Sequence, residues 1–176
     1  MLSVPLGWQA NRVRNQRSAR AEVERLGGYV SYSPPYDDPF APEPGWLKQQ
    51  LGDDLFADIV TVSIYGSAAT DAEVVSIVSK LPNLKELDLR KTQISDQSLA
   101  AVAKMTELVE LELSECNISD AGLAQLEPLT KLAKLSLWRT HVTSAGVSRL
   151  QHSLKSTRIY LNGERLRADV WGPAEP

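Results

Sequence analysis

The sequence predicts an α/β fold: a right-handed β/α solenoid of about five parallel strands and four helices, preceded by an irregular α+β N-terminal cap. Three observations predict it. Residues 81–152 divide into three 24-residue blocks that superimpose almost position for position: LPNLKELDLRKTQISDQSLAAVAK, MTELVELELSECNISDAGLAQLEP and LTKLAKLSLWRTHVTSAGVSRLQH. In each block two leucines two apart mark a strand, and two apolar residues three apart mark a helix. Between them stand Ser95-Asp96, Ser119-Asp120 or Thr143-Ser144, residue types that accept hydrogen bonds from the free N–H groups at a helix start. One block cannot bury enough apolar surface to offset the ordering of its own backbone, so the blocks must stack.

Residues 1–58 form the capping region. MLSVPLGW is apolar for eight residues and runs straight into an arginine-rich segment, so residues 1–8 look like the remnant of a membrane span with its flank. A span needs ~20 residues, and the chain as written reads as soluble. Residues 9–26 place Val13, Ala19, Val23 and Leu26 at helical spacing among Arg12, Arg14, Arg17, Arg20 and Arg25, and Gly27-Gly28 stops that helix. YVSY follows as a short strand, and the five prolines of residues 33–45 impose an extended loop. Trp46, Leu47, Leu51, Leu55 and Phe56 then suit a short amphipathic helix.

The solenoid occupies residues 59–163, with repeats near 59–80, 81–104, 105–128, 129–152 and 153–163. Leu87 and Leu89, Leu111 and Leu113, and Leu135 and Leu137 face the core from the strands. Leu99 with Val102, Leu123 with Leu126 and Val147 with Leu150 face it from the helices. The first repeat is degenerate: Val62 and Ile64 hold the strand positions, Thr70-Asp71 the helix start and Val74 the helix. In the last, Ile159 and Leu161 continue the strand pattern. Asn162-Gly163 is a two-residue hairpin signal, and a plain strand end running into a C-terminal cap or tail, 164–176, stays open beside it.

Chemistry is sparse. At 43% hydrophobic and 23% charged residues the chain is ordinary globular material, and its net charge of −3 argues against nucleic-acid binding. His141 and His152 lack metal-ligand spacing, no nucleotide or nucleophile motif occurs, and the adjacent pairs Asp37-Asp38 and Asp53-Asp54 do not establish facing carboxylates. We therefore expect no enzyme, cofactor or metal. Cys116 takes the turn position of Thr92 and Thr140 and reads as structural. Asn117-Ile118-Ser119 matches a glycosylation acceptor formally but sits at the repeat's turn, where Asn and Ser are expected anyway.

The concave face of the sheet is the candidate surface. Its outward residues form three columns: Thr61, Glu86, Glu110, Lys134, Arg158; Ser63, Asp88, Glu112, Ser136, Tyr160; and Tyr65, Arg90, Ser114, Trp138, Asn162. Glu86, Asp88, Glu110 and Glu112 make an acidic patch with Trp138 and Tyr160 beside it, and exposed aromatics next to charges are common interface anchors. The expected partner-binding residues are Glu86, Asp88, Arg90, Glu110, Glu112, Lys134, Trp138, Arg158 and Tyr160. The expected partner is a protein, basic or extended.

Each block contains L-x-x-L-x-L-x-x-(T/C)-x-(I/V), the pattern of a leucine-rich repeat. ERLGGYVSY, then GWLKQQLGDDLFADIVTVSI, then T-x-(I/V)-(S/T)-D-x-x-L and the ending GVSRLQHSLKSTRIYL together resemble a family of short bacterial leucine-rich-repeat proteins, over roughly residues 5 to 162. The repeats are similar to the cysteine-containing, ribonuclease-inhibitor-like type. The resemblance gives no catalytic residues to carry over, and the solenoid with its acidic, aromatic concave face reads as a non-enzymatic protein-interaction module. The resemblance also implies a single membrane span before a segment like VPLGWQANRVRNQR in a longer form, so the alternative function is a membrane-tethered structural or envelope-associated protein whose N-terminal segment meets the bilayer. A weaker alternative is an adaptor resembling ubiquitin-ligase substrate receptors, although no F-box is recognisable.

Overall fold

A computed structural model describes residues 6–33, 57–161 and 164–166. The proline-rich loop and the helix expected at residues 46–56 lie outside them. The elements in chain order are α1 (Leu6–Arg25), β1 (Tyr29–Tyr32), β2 (Ile59–Ser63), α2 (Asp71–Ser79), β3 (Glu86–Asp88), α3 (Asp96–Val102), β4 (Glu110–Glu112), α4 (Asp120–Ala124), β5 (Lys134–Ser136), α5 (Ser144–Ser153), β6 (Arg158–Leu161) and β7 (Glu164–Leu166). The strands form one sheet in sequence order. β2 to β6 are parallel, each linked to the next by a helix, while β1 and β7 pair antiparallel at the two ends. This is a β/α repeat fold.

The leucine pairs explain the strands. Leu87, Leu89, Leu111, Leu113, Leu135 and Leu137 are at most 2% exposed, and Ile94, Leu99, Val102, Ile118, Leu123, Leu126, Val147 and Leu150 meet them from the turns and helices. β3 and β4 are each extended by two further cross-repeat bonds: Leu89 N–H to the Glu112 carbonyl and Lys91 N–H to the Ser114 carbonyl, then Leu113 N–H to the Ser136 carbonyl and Glu115 N–H to the Trp138 carbonyl. Thr70, Ser95, Ser119 and Thr143 are the N-caps.

The first helical residue bonds forward, into the next repeat. Asp71 accepts the Ser95 N–H at 2.8 Å and its hydroxyl at 2.6 Å. Asp96 accepts the same two groups of Ser119, and Asp120 those of Thr143. One carboxylate thus ties each helix start to its successor. Gly122 and Gly146 keep the space open, since a Cβ at either would overlap the carboxylate of Asp96 or Asp120. Ser144 takes the equivalent place in α5 and offers no carboxylate.

α1 meets β2 and α2 through side chains. Gln16, buried on α1, accepts the Ile59 N–H at 2.6 Å and donates to the Ala57 carbonyl at 3.2 Å. Asp58 accepts from Arg12 at 2.6 Å and from Asn83 at 3.1 Å. Lys80 to Glu22 (2.8 Å) and Arg25 to Glu73 (2.7 Å) tie α1 to α2. Ala19 and Val23 reach the core. Gly28 lets β1 lie against β2, because a Cβ there would strike the Ser63 carbonyl. At the other end β6 turns into antiparallel β7, so the strand end forms a hairpin whose two linking residues lie outside the described ones. Among the described residues no helix is long and apolar enough to cross a membrane.

Candidate functional site

The parallel register sets Thr61, Glu86, Glu110, Lys134 and Arg158 side by side, and likewise Ser63, Asp88, Glu112, Ser136 and Tyr160. Adjacent members of a column are ~4.8 Å apart. All nine candidate partner-binding residues fall on this one face: seven lie within β3 to β6, and Arg90 and Trp138 lie two residues past β3 and β5. Ser63, Ser114 and Ser136 share the face but are buried, at 3%, 7% and 9% exposure. The floor is therefore narrow, and the longer side chains form its walls. Asn162 lies outside the described residues.

The face is charge-segregated and largely paired. Arg90 grips Asp88 through two bonds, Nε to Oδ1 at 2.9 Å and NH2 to Oδ2 at 2.7 Å. Burial alone would raise the Asp88 pKa, but the Arg90 guanidinium and N–H outweigh it and hold the carboxyl below its ordinary value. Lys134 lies 2.7 Å from Glu112 and 3.6 Å from Glu110, so its closer partner is on the neighbouring column, not its own. Bonding to Glu112 raises the Lys134 pKa. Of the carboxylates on β3 and β4, Asp88 is thus held by Arg90, and Glu110 and Glu112 share Lys134.

A fourth column escaped sequence reasoning. Lys91, Glu115 and Arg139 share a left-handed backbone, with φ of 56°, 60° and 54°. Glu115 lies 3.7 Å from both Lys91 and Arg139. The 24-residue spacing and the alternating charge were the signals available. The two cations of this column lie over aromatic rings: Lys91, with Arg90 beside it, is 5.3 Å from the Tyr65 ring centroid (Arg90 5.2 Å), and Arg139 is 4.5 Å from that of Trp138. Trp138 is 41% exposed and Tyr65 51%. Tyr65, Arg90, Glu112, Lys134, Trp138 and Tyr160 help to line an open depression of about 380 Å³.

Among the described residues no group of His, Cys, Asp or Glu could hold a metal. His152 is exposed, its Nδ1 2.7 Å from the Ser148 carbonyl. Cys116 is buried against the Leu89 carbonyl, and burial pushes its thiol pKa up.

Comparison with known proteins agrees with the repeat reading. Residues 80–103 and 104–126 each match the family model described as Leucine Rich repeat. No curated protein gives a significant match. Among solved structures, one titled "Structure of Chaetomium Mex67:Mtr2 subunits" is similar at a TM-score of 0.35 and 18% identity, covering 87% of this chain and 73% of that one. The chain carries two leucine-rich repeats, at residues 80–103 and 104–126, within its β/α repeat fold.

Proposed function

We propose that the chain is a right-handed leucine-rich-repeat solenoid acting as a non-enzymatic protein-interaction module, and that it holds its partner on the outward face of β3 to β6 and the turns that follow. Leucine-rich repeats generally bind proteins, and the supporting observation is Trp138. A large aromatic stands 41% exposed beside an open depression whose walls are fixed by ion pairs. A rigid aromatic loses little conformational freedom on binding, and pre-paired charges present a defined electrostatic shape. Five parallel strands span roughly 20 Å, so the footprint is modest.

The test compares the wild-type chain with a Glu86→Lys, Glu110→Lys, Trp138→Ala variant whose fold is verified by circular dichroism, each used to capture partners from native lysate. Retention of a protein by wild type and its loss from the variant is the expected result. Equal retention by both, or by neither, rejects the concave face as the binding surface.

A further inference from the structure

Among the described residues the outward face carries two exposed charges without an ion pair, one of each sign, at opposite ends of one column. Glu86 accepts the Thr61 hydroxyl at 3.1 Å and has no cationic partner, and Arg158 has no anionic one. Between them Glu110 and Lys134 lie 3.6 Å apart and offset each other. Along Glu86, Glu110, Lys134 and Arg158 the column reads minus, minus, plus, plus. Glu86 and Arg158 are three strand spacings apart, roughly 14 Å at ~4.8 Å each. An extended chain covers that distance in about four residues.

Resting on the concave-face reading above, we propose that the partner segment is an extended, charge-segregated peptide laid across the strands, with a basic side chain over Glu86 and an acidic one over Arg158 about four residues away. Trp138 and Tyr160 lie toward the Arg158 end and receive an apolar side chain there. A uniformly basic segment meets Lys134 and Arg158 with like charge, and a uniformly acidic one meets Glu86 and Glu110. The column therefore selects both composition and direction, through repulsion as much as attraction.

The test titrates the full chain with three labelled synthetic peptides of equal length, each carrying one central tryptophan. One has lysines in one half and glutamates in the other, one has the same residues alternating, and one has lysines only. The segregated peptide is expected to bind about tenfold tighter than either of the others, and Arg158→Glu is expected to transfer the preference to the all-lysine peptide. If the all-lysine or the alternating peptide binds wild type as tightly as the segregated one, or if Arg158→Glu leaves the order unchanged, the charge polarity is wrong while the concave face stands. If no peptide binds saturably, or if binding is untouched by Trp138→Ala, the concave-face reading fails and the inference fails with it.

Discussion

Asp96 and Ser119, 23 residues apart in sequence, are joined at two points: the serine N–H donates to one carboxylate oxygen at 2.8 Å and its hydroxyl to the other at 2.5 Å. Asp71 with Ser95 and Asp120 with Thr143 repeat the arrangement. In each case the N-cap of one helix is oriented by the first residue of the helix before it.

Asp96→Ala is expected to destabilise the chain by about 3 kcal/mol, since two bonds to a charged acceptor are lost and the Ser119 N–H is left half-buried. Urea unfolding with a fixed slope checks this. A loss no larger than that of a surface substitution would mean that the rung contributes nothing.

Gly122→Ala should cost less in a background that lacks the Asp96 carboxylate. In the otherwise native chain the new methyl overlaps the Asp96 carboxylate and the variant is less stable. Once Asp96→Ala has removed the carboxylate, only the Cβ of residue 96 remains close, at 3.0 Å, and the cost of Gly122→Ala shrinks as alanine's better helix propensity offsets part of it. A double-mutant cycle by thermal melting reads this directly, and purely additive effects would contradict the packing described.

The rungs also predict acid sensitivity. Burial alone would raise the Asp71 pKa, but the Ser95 hydroxyl and N–H, then Ser98, outweigh it, and the Thr143 N–H and hydroxyl lower that of Asp120. A carboxyl whose folded pKa lies below its unfolded one adds stability that is complete above the unfolded value, ~3.9 for Asp. That stability is lost as pH falls through the folded value. The stability difference between wild type and Asp120→Asn, measured by chemical unfolding across this range, should be largest near neutrality and shrink in acid. A difference that does not vary with pH would rule out the linkage.

Cys116 should be inert in the native chain. Its thiol is buried with a raised pKa, so little thiolate exists at neutral pH. An aromatic disulfide reagent is expected to label it only after denaturation, and rapid native labelling would show that the turn opens.

At the left-handed corner, Lys91→Val should cost about 1–2 kcal/mol more than Lys91→Gly. Both replacements remove the lysine ammonium from the Tyr65 ring, but only the β-branched residue is forced into a strained conformation. Equal stabilities would show that the corner relaxes.

Periodicity carries a great deal in a repeat protein, and the strand leucines, helix caps and column order could all be read from the 24-residue spacing. The rungs could not be read so directly. Asp96 after Ser95 looks like a local helix-start signal, and nothing in one block shows that the carboxylate bonds forward. The available clue was the conjunction of Asp71, Asp96 and Asp120 with the small residues Ser98, Gly122 and Gly146, which only the stacked geometry explains. Which of these residues share the outward face was legible, and how their charges pair was not. Column spacing points Lys134 at Glu110, whereas side-chain reach brings it closer to Glu112. The contacts of α1 through Arg12, Gln16 and Arg25 join segments that share no period, so no pattern along the chain announces them.

The serine at position 144 bears on how such an array could be lengthened. Inserting a second copy of residues 105–128 behind the first would bring its own aspartate and glycine, and every new junction would find the acceptor it needs. A second copy of residues 129–152 would place Ser144 before a new cap whose N–H and hydroxyl meet no carboxylate, and the weak seam would be inherited with each further duplication. Growth of this molecule by internal duplication is therefore favoured from its middle, and a designer extending it would start from the same block.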